Sequence, residues 1–304
     1  MRDHLPPTSR LAVLSALLIV YLVWGSTYLV IRIGLEAWPP AIMGAVRFTL
    51  AGCLLVLWGR LRREPWPSAW PQVRTAAIAG VLMISAGNFS VVWAEQYVPS
   101  GMTAVIIATV SLWMIMLEGL RPGGERVTLM KVLGVTIGLA GVAVLMSLEL
   151  RNGQNRNAVI GQIGLLLGSL SWAAGSIYTR HAPGPKSHIL SSALQMLAGG
   201  FGLFLLAGIR GEFARFELAR LAGEPLWAMA YLIVFGSALA FTAYIFLLHR
   251  TGPALASTYA FVNPVVAVIL GALILNEPVT IWLIVGAALV ILSLIVIQQA
   301  KLRK

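Results

Sequence analysis

The sequence predicts an all-α, polytopic membrane protein of ten transmembrane helices, arranged as two inverted five-helix repeats. Three observations predict it. Of the 304 residues, 59% are hydrophobic and 11% charged, against about 45–50% and 25% in soluble domains. The apolar residues fall in blocks of roughly 20, enough for a helix to cross about 30 Å of hydrocarbon. A tetrapeptide Glu-x-Val-Thr occurs twice, at Glu125–Thr128 and Glu277–Thr280, 152 residues apart, each time before a long apolar run. Dyad alternation in shorter blocks, the mark of a membrane β-barrel, is absent.

In order, the first five spans begin near Leu11, Pro40, Gln72, Ser100 and Thr128. The block from Leu11 is too long, and lacks a small-residue cleavage site, to read as a signal peptide. Prolines at Pro40 and Pro99 suit helix starts. The second five begin near Ala158, Ile189, Leu226, Ala254 and Thr280. The longest connection, Ile209 to Pro225, is of mixed charge and is expected to hold a small surface helix. The halves divide as 1–148 and 149–304.

Net charge is +11, yet its distribution speaks against nucleic acid. With the N-terminus inside, 15 Lys and Arg fall on the inner side, six on the outer, and Arg47 within a span. That asymmetry satisfies the positive-inside rule and predicts both termini in the cytoplasm. The basic side also attracts anionic lipid heads, so the bilayer is the expected partner. The single cysteine, Cys53, allows no disulfide within the chain.

Further matches keep the same order across the halves. Gly25-Ser26-Thr27-Tyr28 pairs with Gly175-Ser176-Ile177-Tyr178, Leu50-Ala51-Gly52 with Leu197-Ala198-Gly199, Pro99 with Pro253, and Gly134 with Gly286. Two fused copies of an odd number of spans must lie in opposite orientations. That relation places a site near the midplane where the halves meet, and alternating access follows from it. Gly134/Gly138 and Gly164/Gly168 form G-x-x-x-G pairs, expected to serve internal packing. A monomer is sufficient, with a dimer as the alternative.

Polar residues inside spans are costly and are the functional candidates. For a substrate cavity they are Ser26, Thr27, Tyr28, Asn88, Ser176, Tyr178, Tyr244, Tyr259 and Asn263. Trp24, Trp113 and Trp172 lie too deep for an interfacial belt and join them, because aromatic rings suit amphipathic organic solutes. The competing role for each is a hydrogen bond to a neighbouring helix. Asn263, beside Pro264, suits a carbonyl freed by the proline; Asn88 has no adjacent breaker and suits the cavity.

Arg47 and Glu95 fall at similar depth and are expected to form an ion pair at the outer mouth, structural or gating. Two snorkelling side chains are the alternative, and Arg32 is a rival partner for Glu95. Glu118 precedes Arg121 by three residues, which suits a surface pair. It is also the only inner-side carboxylate within a span, so it is the fallback proton carrier. With no Asp or Glu at the midplane, weak or indirect proton coupling is expected. Thr128 and Thr280 are expected to cap the fifth and tenth helices.

Enzyme classes fail on composition. The sole aspartate is Asp3, the four histidines sit at loops or span ends, and no H-E-x-x-H zinc motif exists. No cofactor or metal is called for. Nothing resembles a channel's filter loop or charge rings, but a slow channel-like facilitator of small metabolites stays an alternative to a transporter, as does a non-transporting scaffold, which would need no inverted repeat.

The runs W-G-S-T-Y-L-V-I-R, R-F-T-L-A-G and G-N-F-S-V-V-W-A-E-Q-Y-V-P-S-G in the first half, and P-A-L-A-S-T-Y-A-F-V-N-P-V-V-A-V-I-L-G with N-E-P-V-T in the second, resemble the EamA family of the drug/metabolite transporter superfamily. The resemblance spans nearly the whole chain and is nearest to bacterial inner-membrane members. It implies export of amino acids, other metabolites or drugs from a central cavity. One departure stands out. Ser111 follows Thr109-Val110 where first-repeat relatives often carry proline, so a kink is expected in the ninth helix rather than the fourth.

Overall fold

A computed structural model describes residues 10–122, 124, 128–151, 156–218 and 221–302. The described chain is helical, with no strand. Its rods are α1 (Arg10–Gly34), α2 (Pro40–Leu61), α3 (Trp70–Ala94), α4 (Ser100–Leu120), α5 (Leu129–Arg151), α6 (Arg156–His181), α7 (His188–Ile209), α8 (Glu224–Thr251), α9 (Pro253–Ile274) and α10 (Ile281–Leu302). Eight of them are long and apolar enough to cross a membrane. α5 and α10 carry shorter described apolar segments, Val132–Leu145 and Ile281–Ser293.

Local chemistry sets the boundaries. Prolines open α2, α3, α8 and α9, where a missing N–H costs nothing. The Ser187 hydroxyl accepts from Leu190 N at 3.3 Å and caps α7. Between α8 and α9 the chain reverses at Gly252, whose φ of +89° excludes a side chain at little cost only in glycine. Among its described residues, the long connection after α7 holds a 3-10 turn at Phe213–Arg215.

Apolar side chains face outward as well as inward. On α1, Leu11, Leu14, Leu18 and Leu22 are all more than half exposed. Their three- and four-residue spacing makes one outward stripe, which water would penalise and lipid accepts. Polar groups such as Gln162, Ser169, Ser176 and Gln195 are turned inside.

Contacts fix the relative directions. On α2 and α7, Gly44 meets Leu203, Gly52 meets Leu197 and Gly59 meets Leu190, so these rods run antiparallel. On α5 and α10, Gly138 meets Ser293 and Gly141 meets Gly286, again antiparallel. α1 runs parallel to α9, through Tyr21–Thr258 and Gly25–Val266. α4 runs parallel to α6, through Met102–Gln162 and Thr109–Ser169. Small residues at these crossings let backbones approach without a hydrophobic drive. Of the second G-x-x-x-G pair, only Gly168 packs, against Ser90; Gly164 faces open space.

Two features depart from expectation. First, α4 is interrupted at Ala108 and Thr109 although it lacks a proline. The Thr109 hydroxyl donates back to Ile106 O at 2.7 Å, and the local backbone bonds tighten to i→i−3. α9 is interrupted at Ser257 and Thr258, whereas Pro264 sits inside the continuing helix. Second, α3 and α8 each contain an eight-residue π segment, Val81–Asn88 and Leu232–Leu239. These wider turns lie in the third and the eighth rod, near Gly87-Asn88 and Gly236-Ser237.

Candidate functional site

The π segments bound a cavity between the halves. It takes walls from α1, α2, α3, α4, α6, α8 and α9. A π turn carries an extra residue, which re-aims the side chains and carbonyls that follow it. Here Asn88 ends the first segment and faces the cavity with its Oδ1 unpartnered. Gly236, in the second, offers its carbonyl to Trp24 Nε1 at 3.0 Å. Ser237 Oγ accepts from Arg47 Nε at 2.7 Å.

Aromatic rings form the rest of the wall. Trp24 stands edge-on to Trp172 at 5.4 Å and to Tyr259 at 5.0 Å between ring centres. Tyr244 closes the group from behind, 5.1 Å from Trp24, with its hydroxyl 2.7 Å from Ser176 Oγ. Phe48 and Phe241 complete the shell. Such edge-to-face pairs hold large rings in fixed orientation.

Seven of the twelve residues expected at a cavity line this one: Trp24, Thr27, Tyr28, Asn88, Trp172, Tyr259 and Asn263. Asn263, in the amide orientation its neighbours require, donates to Tyr21 O at 3.1 Å and Tyr259 O at 3.2 Å. It thus ties α9 to α1, and the carbonyl it serves on its own helix is Tyr259's. Ser176, Tyr244 and Trp113 stand one layer behind the wall; Trp113 Nε1 donates to Ser169 Oγ at 3.0 Å. Ser26 turns away to Tyr231, and Tyr178 is not on the wall. Sequence reasoning missed Ser169, Gly236, Phe48 and Phe241, and assigned Arg47 to the mouth.

Arg47 and Glu95 are not paired. Both are buried, but Arg47 reaches Ser237 and faces the cavity. Glu95 follows the last residue of α3, and neither of its carboxylate oxygens has a hydrogen-bond partner. Arg32 donates to the Glu95 backbone carbonyl instead of the side chain. Helix length explains the miss: similar depth puts two groups at one level without turning them to one another. Glu118 lies at the far end of α4, bound by His181 Nε2 at 2.9 Å and Arg121 at 3.7 Å. The His181 partner was not foreseen.

The duplicated tetrapeptide divides its work. Thr280 Oγ1 accepts from Leu283 N at 3.2 Å, an N-cap on α10. Val132 N donates to Thr128 O at 3.1 Å in the first turn of α5, while Glu125 to Val127 lie outside the described residues. Glu277 does not serve α10. Its carboxylate accepts from Ser100 N at 3.0 Å, Ser100 Oγ at 2.8 Å and Gly101 N at 3.3 Å, at the start of α4. Glu212 does the same at α2, accepting from Ala41 N at 2.8 Å and Ile42 N at 3.2 Å. The residues preceding α2 and α4 are Pro39 and Pro99, which have no side-chain acceptor of their own. Both caps therefore come from the second half of the chain.

Comparison with known proteins adds the following. The model of the EamA-like transporter family matches twice, at residues 11–147 and 159–298. YedA of Escherichia coli (strain K12), an "Uncharacterized inner membrane transporter", is 39% identical over 294 residues, covering 96% of this chain and 92% of its own. A "Probable amino-acid metabolite efflux pump" of Salmonella typhimurium is 26% identical, covering 91% of each chain. A solved crystal structure superposes with a TM-score of 0.67 at 20% identity, over 97% of this chain and 99% of the other. That last likeness shows the fold alone.

Proposed function

We propose, because the chain belongs to the EamA-like transporter family, that it exports small organic solutes by alternating access between two inverted halves. Amino acids and related metabolites are the substrate class, in line with the name carried by the Salmonella relative. The single observation that carries this reading is the aromatic cavity between equivalent π segments of α3 and α8. A cavity at a repeat interface, bounded by irregular helix, is where secondary transporters hold substrate.

The contact directions support the inversion. α2 and α7 occupy equivalent places, as do α5 and α10, and each pair meets antiparallel. α1 packs parallel to α9, as its equivalent α6 packs parallel to α4. An inverted duplication of ten spans, both termini cytoplasmic, has those relations. Under it, Glu212 and Glu277 tie second-half loops to first-half helix starts at the outer end. At the other end, a groove of about 1320 Å³ opens among Leu61, Lys186, His188 and Arg250. The pattern fits a state held shut outside. Among the described residues no carboxylate lines the cavity, which favours transport driven by the solute's own gradient.

Counterflow in proteoliposomes tests the proposal. Across a screen of amino acids and common metabolites, at least one solute should show saturable, trans-stimulated uptake. Turnover should not exceed about 10³ per second, the pace of domain rocking. Faster, non-saturating flux would identify a channel, and no flux of any solute a scaffold.

A further inference from the structure

We infer that the cavity recognises its solute by a carboxylate, with Arg47 as the anchor and the aromatic shell as the seat for an apolar body. The inference rests on the transport reading above and narrows it.

Among the described residues, Arg47 is the only charged side chain on the cavity wall. It is 3% exposed, and its planar guanidinium lies 4.7 Å from the Phe48 ring centre. Nε is satisfied by Ser237, whereas Nη1 is buried with no acceptor among the described residues. An unpaired buried donor is costly, and more so when it carries charge. The fold nevertheless keeps Ser237 in place to aim this group. Glu95 is the carboxylate that bears on Arg47 electrostatically, yet it makes no bond to it. The missing acceptor is therefore expected from the solute. A guanidinium fork matches the two oxygens of a carboxylate, and with Nε occupied the Nη edge is the one left free.

The rest of the wall defines the remainder of the solute. Trp24, Tyr28, Trp172 and Phe241 present rings, which complement an aromatic or bulky apolar body. Asn88 Oδ1 offers a free acceptor, which adds affinity for a donor such as an ammonium or hydroxyl without requiring it. A cation lacking a carboxylate would set like charge beside Arg47 and is rejected.

Equilibrium binding to the purified full chain, read by titration calorimetry, tests this with three probes. They are L-phenylalanine, 3-phenylpropionate (no amine) and phenethylamine (no carboxylate). Both acids should bind saturably, with phenethylamine at least about tenfold weaker, the value of one charge-assisted contact. Arg47→Gln should bring both acids down to the phenethylamine level, and Arg47→Lys should restore part of the loss. The wild-type ranking needs no variant, so misfolding of Arg47→Gln would leave the test intact. Phenethylamine binding as tightly as 3-phenylpropionate overturns the inference and leaves transport standing. Binding of none of the three overturns it too, and the transport reading falls only if the counterflow screen is also empty.

Discussion

Trp24→Ala is expected to lower stability by about 3–5 kcal/mol and to reduce counterflow at least about tenfold. The side chain is 8% exposed and touches Trp172, Tyr244 and Tyr259 at once. In a membrane the loss is one of packing, because lipid is as apolar as the protein interior. Each aromatic pair adds about 0.5–1.5 kcal/mol to that packing. The indole N–H also satisfies Gly236 O within a π segment, whose wide turn needs support from outside the helix. Trp24→Phe keeps the rings and loses the hydrogen bond, so its cost is about 1 kcal/mol. Melting curves in detergent, with flux measured in parallel, check both variants. Equal behaviour of Trp24→Ala and Trp24→Phe would show that the ring cluster does not hold the site.

Glu277→Ala carries the second-largest expected effect, about 2–3 kcal/mol. It removes three hydrogen bonds at the positive end of α4, a helix whose own preceding residue is Pro99. Glu277 is only partly buried, which holds the figure to that range. Glu277→Gln keeps an acceptor without the charge, so roughly half the loss is expected. Because the cap joins the halves at one end, its removal also favours opening there. A melting curve for Glu277→Ala that superposes on the wild type would remove the cap from the account.

The helix starts, and eight helices long and apolar enough to cross a membrane, were legible in the sequence because apolar block length and first-turn prolines are local signals. Every expected start lies within a few residues of the observed one, from Leu11 against Arg10 to Thr280 against Ile281. Which way each residue faces was not legible. These helices are apolar on nearly all sides, so the pattern that would turn Ser26 and Tyr178 away from the cavity is absent. The π segments were hidden for a related reason: nothing in V-L-M-I-S-A-G-N breaks the helical pattern, and tertiary contacts decide the extra residue. Ser237 and Gly236 were missed with them. The part Glu277 plays at α4 was hidden, since spacing exposes only partners close in sequence. Its true partner, Ser100, is 177 residues away.

Accessibility of the cavity from each face tests alternating access most directly. Cys53 is replaced by serine, and Ile107 on the cavity wall by cysteine. A membrane-impermeant thiol reagent is then applied to oriented vesicles from one side or the other. The account predicts labelling from both faces, with Glu277→Ala raising the rate from the face that carries Glu277 and lowering it from the opposite one. Labelling from one face alone, or a rise from both together, would contradict it.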